Sequence, residues 1–221
     1  VALDAKTGKE QWRFDLAEFY KGHDGSHDGP ISTPLIAEGK VFVLDPRGQF
    51  DAVDLKTGKA IWKTHLVDDH EAAQPHYGFG TSPVYLDGVV VVQMNSEKAA
   101  VAGFDPSTGK KLWSAGADGT NYQSPIQYEW NGSKRVLAAC NKQLYAVNAS
   151  NGEIIWEQEH AGAGARGLMS LTAVPAGVDR LFLAYKDESS SLMQLVREEH
   201  SVSSKSASSP SSRMTESCTA P

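Results

Sequence analysis

Five of the seven histidines, His23, His27, His70, His76 and His160, lie in segments that also hold Asp24, Asp28, Asp68, Asp69, Glu71 and Arg166. Imidazole and carboxylate together are a donor set for a divalent cation. With a guanidinium they can also grip a polar ligand through charge-assisted hydrogen bonds. The densest stretch is "HDGSHDG" (23–29), in which His23, Asp24, His27 and Asp28 are the metal candidates. Gly25 and Gly29 would let its backbone fold tightly. Its spacing matches no strong metal pattern, however, and glycine and aspartate are what any tight loop uses. Solvated loop polarity therefore outranks metal binding as the reading of these residues. "GAGARG" (162–167) has the form G-x-G-x-x-G. It is set aside as a dinucleotide fingerprint because "LMSLTAVPAG" after it reads as a strand, with no helix to receive phosphate.

What holds these segments in place is a repeat. "VALDAKTGKEQW" (1–12), "AVDLKTGKAIW" (52–62), "GFDPSTGKKLW" (103–113) and "AVNASNGEIIW" (146–156) align on Trp12, Trp62, Trp113 and Trp156, spaced 50, 51 and 43 residues apart. Periods of roughly 40–50 residues belong to propellers or helical arrays. Upstream of each later copy stand β-like runs such as "STPLIAEGKVFVLD" (32–45), "TSPVYLDGVVVVQ" (81–93) and "QSPIQYEWNGSKRVLAA" (123–139). No stretch has sustained helical periodicity. Four short strands per period make one propeller blade.

The repeated residues predict architecture. Asp4, Asp54 and Asp105, with Asn148 in the last copy, start a turn and accept hydrogen bonds from amides two residues on. Gly8, Gly58, Gly109 and Gly152 stand where the hairpin needs a positive φ. Small Ala52 and Ala146 leave room on the inner face. Each Trp, on the outer strand, is expected to pack across to the next blade. Trp130 stands outside the repeat.

The pattern A-x-D-x-x-T-G-x-x-x-W, recurring in register over about residues 1–196, resembles the tryptophan-docking repeat of quinoprotein-dehydrogenase-like β-propellers. That family includes pyrroloquinoline quinone (PQQ) dehydrogenases, a non-enzymatic outer-membrane assembly lipoprotein, and exported bacterial PQQ-binding-like repeat proteins, which the chain resembles most. The resemblance implies an all-β propeller of four-stranded blades and a periplasmic or otherwise exported bacterial protein. It also implies a binding or scaffold role. The first alternative is a PQQ- and calcium-dependent alcohol or sugar dehydrogenase, and the second a sensory propeller that takes a small ligand or metal. In the dehydrogenases adjacent cysteines form a ring over the quinone, and Glu, Asn and Asp hold calcium. Here Cys140 and Cys218 are far apart, and no calcium set maps onto a matched motif. The expectation is no resident cofactor, no catalytic residue, and an enzyme only under the first alternative.

The blades are expected at 1–15 (partial), 32–66, 81–115, 123–159 and 168–196 (partial), about four in all, as a fragment of a longer propeller. One possible closure joins the strands of 1–15 to those of 168–196 in a small ring. Residues 197–221 are Ser-rich and read as a disordered tail. Strand order gathers the inter-blade loops 17–30, 67–80, 115–123 and 159–167 on one rim and the T-G turns on the other. That rim holds His23, His27, His70, His76, His160 and Arg166 as ligand candidates. A net charge of −6 disfavours nucleic acid, and no apolar run spans a membrane. The expected partner is a protein or a small polar ligand.

Overall fold

A computed structural model describes residues 1–16, 20–22, 28–120, 122–130, 132–160, 173–177, 179–184, 191–195 and 213–217. The fold is all-β. Each blade is an antiparallel meander in chain order. The first described sheet pairs β1 (Ala2–Leu3) with β2 (Glu10–Trp12). The second holds β3 (Leu35–Ala37), β4 (Lys40–Leu44), β5 (Gln49–Asp54) and β6 (Ala60–His65). A single helical turn, α1 (Leu66–His70), follows β6. The third blade is β7 (Val84–Leu86), β8 (Val89–Ser96), β9 (Ala99–Phe104) and β10 (Lys111–Ala115). The fourth is β11 (Ile126–Trp130), β12 (Ser133–Ala139), β13 (Gln143–Val147) and β14 (Ile154–Glu159). The fifth is β15 (Val174–Pro175), β16 (Arg180–Leu183), β17 (Ser191–Gln194) and β18 (Arg213–Ser217).

β18 corrects two expectations. Residues 213–217, assigned by composition to a disordered tail, pair with β17 as the fourth strand of the last sheet. The strands of 1–15 do not take that place; among the described residues β1 and β2 pair with each other. The reason is that an open edge of β17 presents a row of backbone donors and acceptors. Any extended segment can satisfy them without a hydrophobic pattern that would mark it in sequence.

The core is a series of apolar layers between consecutive blades. β8 shows why its sequence, "VVVV", is a continuous run. Val90, Val92 and Met94 face the second blade, where they meet Phe42, Leu44, Phe50 and Trp62. Val89 and Val91 face the fourth blade, beside Val136, Ala138 and Tyr145. A strand buried on both faces has no polar alternation to keep. A third layer sets Leu137, Leu144 and Trp156 against Leu181, Leu183 and Met193 of the fifth blade.

The outer hairpins are built alike. Asp54 N donates to Lys59 O at 2.8 Å and Gly58 N to Asp54 O at 2.9 Å, and the same pair of bonds recurs at Asp4, Asp105 and Asn148. The Asp54 carboxylate accepts from the amides of Lys56 and Thr57 and from the Thr57 hydroxyl. Hydrogen bonds of this kind hold the carboxyls below their usual range. The Thr7 and Thr57 hydroxyls contribute most at Asp4 and Asp54, and the Thr108 amide contributes most at Asp105.

Each of the first three tryptophans then crosses to the next blade. The indole N–H of Trp12 donates to Leu55 O at 3.0 Å, that of Trp62 to Pro106 O at 3.0 Å, and that of Trp113 to Ala149 O at 2.8 Å. The rings lie flat over Gly58, Gly109 and Gly152, where an added Cβ would come within 2.7 Å. The glycines therefore serve twice: φ of +71° to +75° closes the turn, and the missing side chain is the seat of the indole. Trp156 differs. No T-G-x-x-x-W hairpin follows it, and its N–H donates to Tyr128 Oη of its own blade at 2.9 Å.

Candidate functional site

Two of the described inter-blade segments, within 67–80 and 115–123, are each hydrogen-bonded to turns between the second and third strands of neighbouring blades. Phe79 N and Gln74 Nε2 both donate to Pro46 O at 2.8 Å. Asn95 exchanges bonds with Ala73: its Nδ2 donates to Ala73 O at 2.8 Å, and its carbonyl accepts Ala73 N at 3.1 Å. The buried Asp118 carboxylate accepts Lys142 N at 2.6 Å, Gln143 N at 2.9 Å and Gly119 N at 2.8 Å. Gln93, buried on β8, donates to the carbonyls of Gln123 and Ala139 and accepts from the Thr120 hydroxyl at 2.9 Å. Fully satisfied buried networks of this kind make loops rigid.

A second device was not singled out in the sequence, although its signal is there. Ser or Thr followed by Pro opens the innermost strand of three blades, at Thr33-Pro34, Ser82-Pro83 and Ser124-Pro125. Thr33 N donates to Ser82 Oγ at 2.8 Å, and Ser82 N donates to Ser124 Oγ at 2.9 Å. The prolines hold the preceding residues extended, and the hydroxyls chain one blade to the next around the inner edge.

The described histidine candidates, His70, His76 and His160, sit in three different settings. His70 closes α1; its Nε2 is 2.8 Å from Thr64 Oγ1 and its ring meets the edge of Phe104 at 5.1 Å. His76 is exposed and packs edge-on against Tyr77 at 4.5 Å. His160 is only 3% exposed, with Nε2 2.9 Å from Cys140 O, so its imidazole is not presented at the rim surface. Asp28 accepts the Gly22 amide at 2.8 Å. His23, Asp24, His27 and Arg166 lie outside the described residues. Among the described residues no group of three or more His, Cys, Asp or Glu is placed to hold a metal ion. Burial pushes the Cys140 thiol up, away from the reactive thiolate.

The rim instead carries aromatics. Tyr77 and Tyr122 lie 5.7 Å apart, centre to centre, and Tyr122 Oη accepts the Tyr77 amide at 3.1 Å. Tyr122 has φ of 60°, a conformation that costs a non-glycine residue about 1–2 kcal/mol. Burial raises its phenol above the ordinary range. Exposed His76 and half-buried Tyr77 and Tyr122 form a ring cluster on the hydrogen-bonded loops.

His70 is expected to couple stability to pH. Burial, then the Lys111 cation, holds its imidazole below the ordinary value of 6.5, with Asp69 opposing. A depressed folded pKa means the contribution to stability is complete above the unfolded value and is lost as pH falls through the folded one. The melting temperature should drop more steeply below pH of about 6 in the native protein than in a His70→Asn variant. Parallel profiles for the two would remove His70 from this role.

A family model described as outer membrane protein assembly factor BamB matches residues 1–214. Quinohemoprotein alcohol dehydrogenase ADH IIB of Pseudomonas putida is 34% identical over 119 residues, 51% of this chain and 16% of that enzyme. BamB of Yersinia pestis is 24% identical over 162 residues, 71% of this chain and 38% of that protein. The crystal structure of BamB from Moraxella catarrhalis superposes with a TM-score of 0.55 at 17% identity, covering 73% of this chain and 45% of that one. The matched regions thus span less than half of each of these relatives. That family model covers nearly the whole chain, which folds as four-stranded blades: it belongs to the PQQ-repeat family described as outer membrane protein assembly factor BamB.

Proposed function

We propose that this propeller is a non-catalytic binding scaffold in an exported bacterial protein, with a protein partner held on the loop rim. The observation that carries the reading is the rim itself: an aromatic cluster of His76, Tyr77 and Tyr122 on loops fixed by backbone hydrogen bonds. Rigid aromatics on a firm base are the anchors that protein interfaces favour. The kinship with an outer membrane protein assembly factor supports it, and makes assembly of envelope proteins the setting in which to look for the partner.

The alternative is the quinone chemistry of the dehydrogenase relatives. The donor set among the described residues does not fit it. There is no adjacent cysteine pair in the sequence, Cys140 is buried, and the described residues form no cation-binding group. The test is to add PQQ and calcium to the chain, follow binding by calorimetry, and assay dye reduction with alcohols and aldoses. No saturable binding and no turnover are expected. Cofactor-dependent turnover would overturn the scaffold reading.

A further inference from the structure

The hairpin of the fourth blade differs from the three before it at a position that carries chemistry. Where those turns read Thr7-Gly8, Thr57-Gly58 and Thr108-Gly109, this one reads Asn151-Gly152. The asparagine fills the same place in the turn. Its Oδ1 accepts Glu153 N at 3.0 Å, as the threonine hydroxyls accept Lys9 N and Lys59 N at 3.4 Å and Lys110 N at 3.3 Å. Unlike a hydroxyl, its side chain ends in a carboxamide carbon that the next backbone nitrogen can attack. A glycine at that next position has no Cβ to hinder the approach. Asn151 is exposed, so water reaches it.

We propose that Asn151-Gly152 is a modification site, a succinimide-forming pair that the docked indole of Trp113 holds closed. In the reaction Gly152 N gives up its proton and bonds to Asn151 Cγ. The Cγ–Nδ2 bond breaks, and the side-chain nitrogen leaves as ammonia with that proton. Water then opens the five-membered ring. Attack at Cγ gives aspartate. Attack at the main-chain carbonyl gives isoaspartate, whose backbone runs through the former side chain.

The folded hairpin opposes the first step. Gly152 N donates to Asn148 O at 2.8 Å and Asn151 Oδ1 is held by Glu153 N, so both bonds must break before nitrogen meets carbon. The ring of Trp113 rests on Gly152, 2.7 Å from where a Cβ would stand, and the indole N–H donates to Ala149 O at 2.8 Å. The reaction is therefore confined to the moments when this seam is apart. Its product then keeps the seam apart, because isoaspartate inserts one backbone carbon and a carboxylate between the acceptor at Ala149 and the seat at Gly152. This chemistry is independent of the scaffold role proposed above.

The native chain, a Trp113→Ala variant and a synthetic peptide of residues 145–157 are aged in mildly alkaline buffer, where the amide deprotonates more readily. Isoaspartate at 151 is followed by peptide mapping and enzymatic methylation. The mapping separates it from Asn131-Gly132, whose asparagine lies outside the described residues. The peptide, which has no seam, should react at least about tenfold faster than the native chain, and Trp113→Ala should recover most of that difference. Denaturant below the unfolding transition tests the gate without a substitution, and should speed the reaction in the native chain. Aged native chain should melt below fresh chain, while aged Asn151→Thr, with the residue of the other three turns, should not. Equal rates in chain and peptide would overturn the proposal. So would a folded Trp113→Ala that reacts at the native rate, a native rate that low denaturant leaves unchanged, or an Asn151→Thr chain that loses as much on ageing as the native one.

Discussion

Trp62→Ala is expected to destabilise the protein by about 3–5 kcal/mol, the cost of truncating a large buried aromatic side chain. Trp62 is 9% exposed and sits at the centre of the layer between the second and third blades. Phe42 and Phe50 lie 5.9 and 5.2 Å from its ring, and its N–H bond to Pro106 O is made in a buried setting. Removing it leaves a cavity against both phenylalanines and an acceptor without its donor. Trp130→Ala is the control. Trp130 is partly buried at the end of β11, outside the repeat, and docks on no turn glycine among the described residues. Its loss should be clearly smaller. Denaturant unfolding of both variants decides, and equal losses would sink the docking account.

The second large effect is expected from the other side of the same contact. Gly109→Ala should cost about 2–4 kcal/mol, combining about 1–2 kcal/mol for a left-handed alanine with overpacking against the indole. The Cβ would stand 2.7 Å from the Trp62 ring. The two parts separate in a double-mutant cycle. In a Trp62→Ala background the clash is gone, and only the backbone share should remain. Costs that add without coupling would mean that Gly109 serves the turn alone.

The three filled seams and Trp156 make a useful contrast. Trp156 is buried like Trp62, yet its N–H turns back to Tyr128 Oη. Burial and this short bond push the phenol of Tyr128 in opposite directions, and burial wins, taking it up to about 12. At the fourth seam the described contacts are the apolar layer of Leu137, Leu144, Leu181 and Met193, while the indole N–H is used within its own blade.

Much of this was legible in the residues alone. The spacing of Trp12, Trp62, Trp113 and Trp156, the turn aspartates and the T-G pair determine four-stranded blades and their outer hairpins. These signals are local: a turn needs its own Asp, Thr and Gly, and a strand needs its own alternation or apolar run. The packing of tryptophan onto the next blade was also readable, because a large aromatic recurring in register must be buried somewhere constant. What only the tertiary structure decided depends on residues far apart in the chain. Sequence could place His70, His76 and His160 in loops of one rim, but not that one ends a helical turn against Thr64, one packs edge-on against Tyr77 and one is buried on Cys140 O. The pairing of Tyr77 with Tyr122, the Ser82 to Ser124 link and the recruitment of 213–217 as a strand were likewise hidden. Each is a contact between backbone or side-chain groups with no shared pattern, set by where the blades stand once their apolar layers have closed.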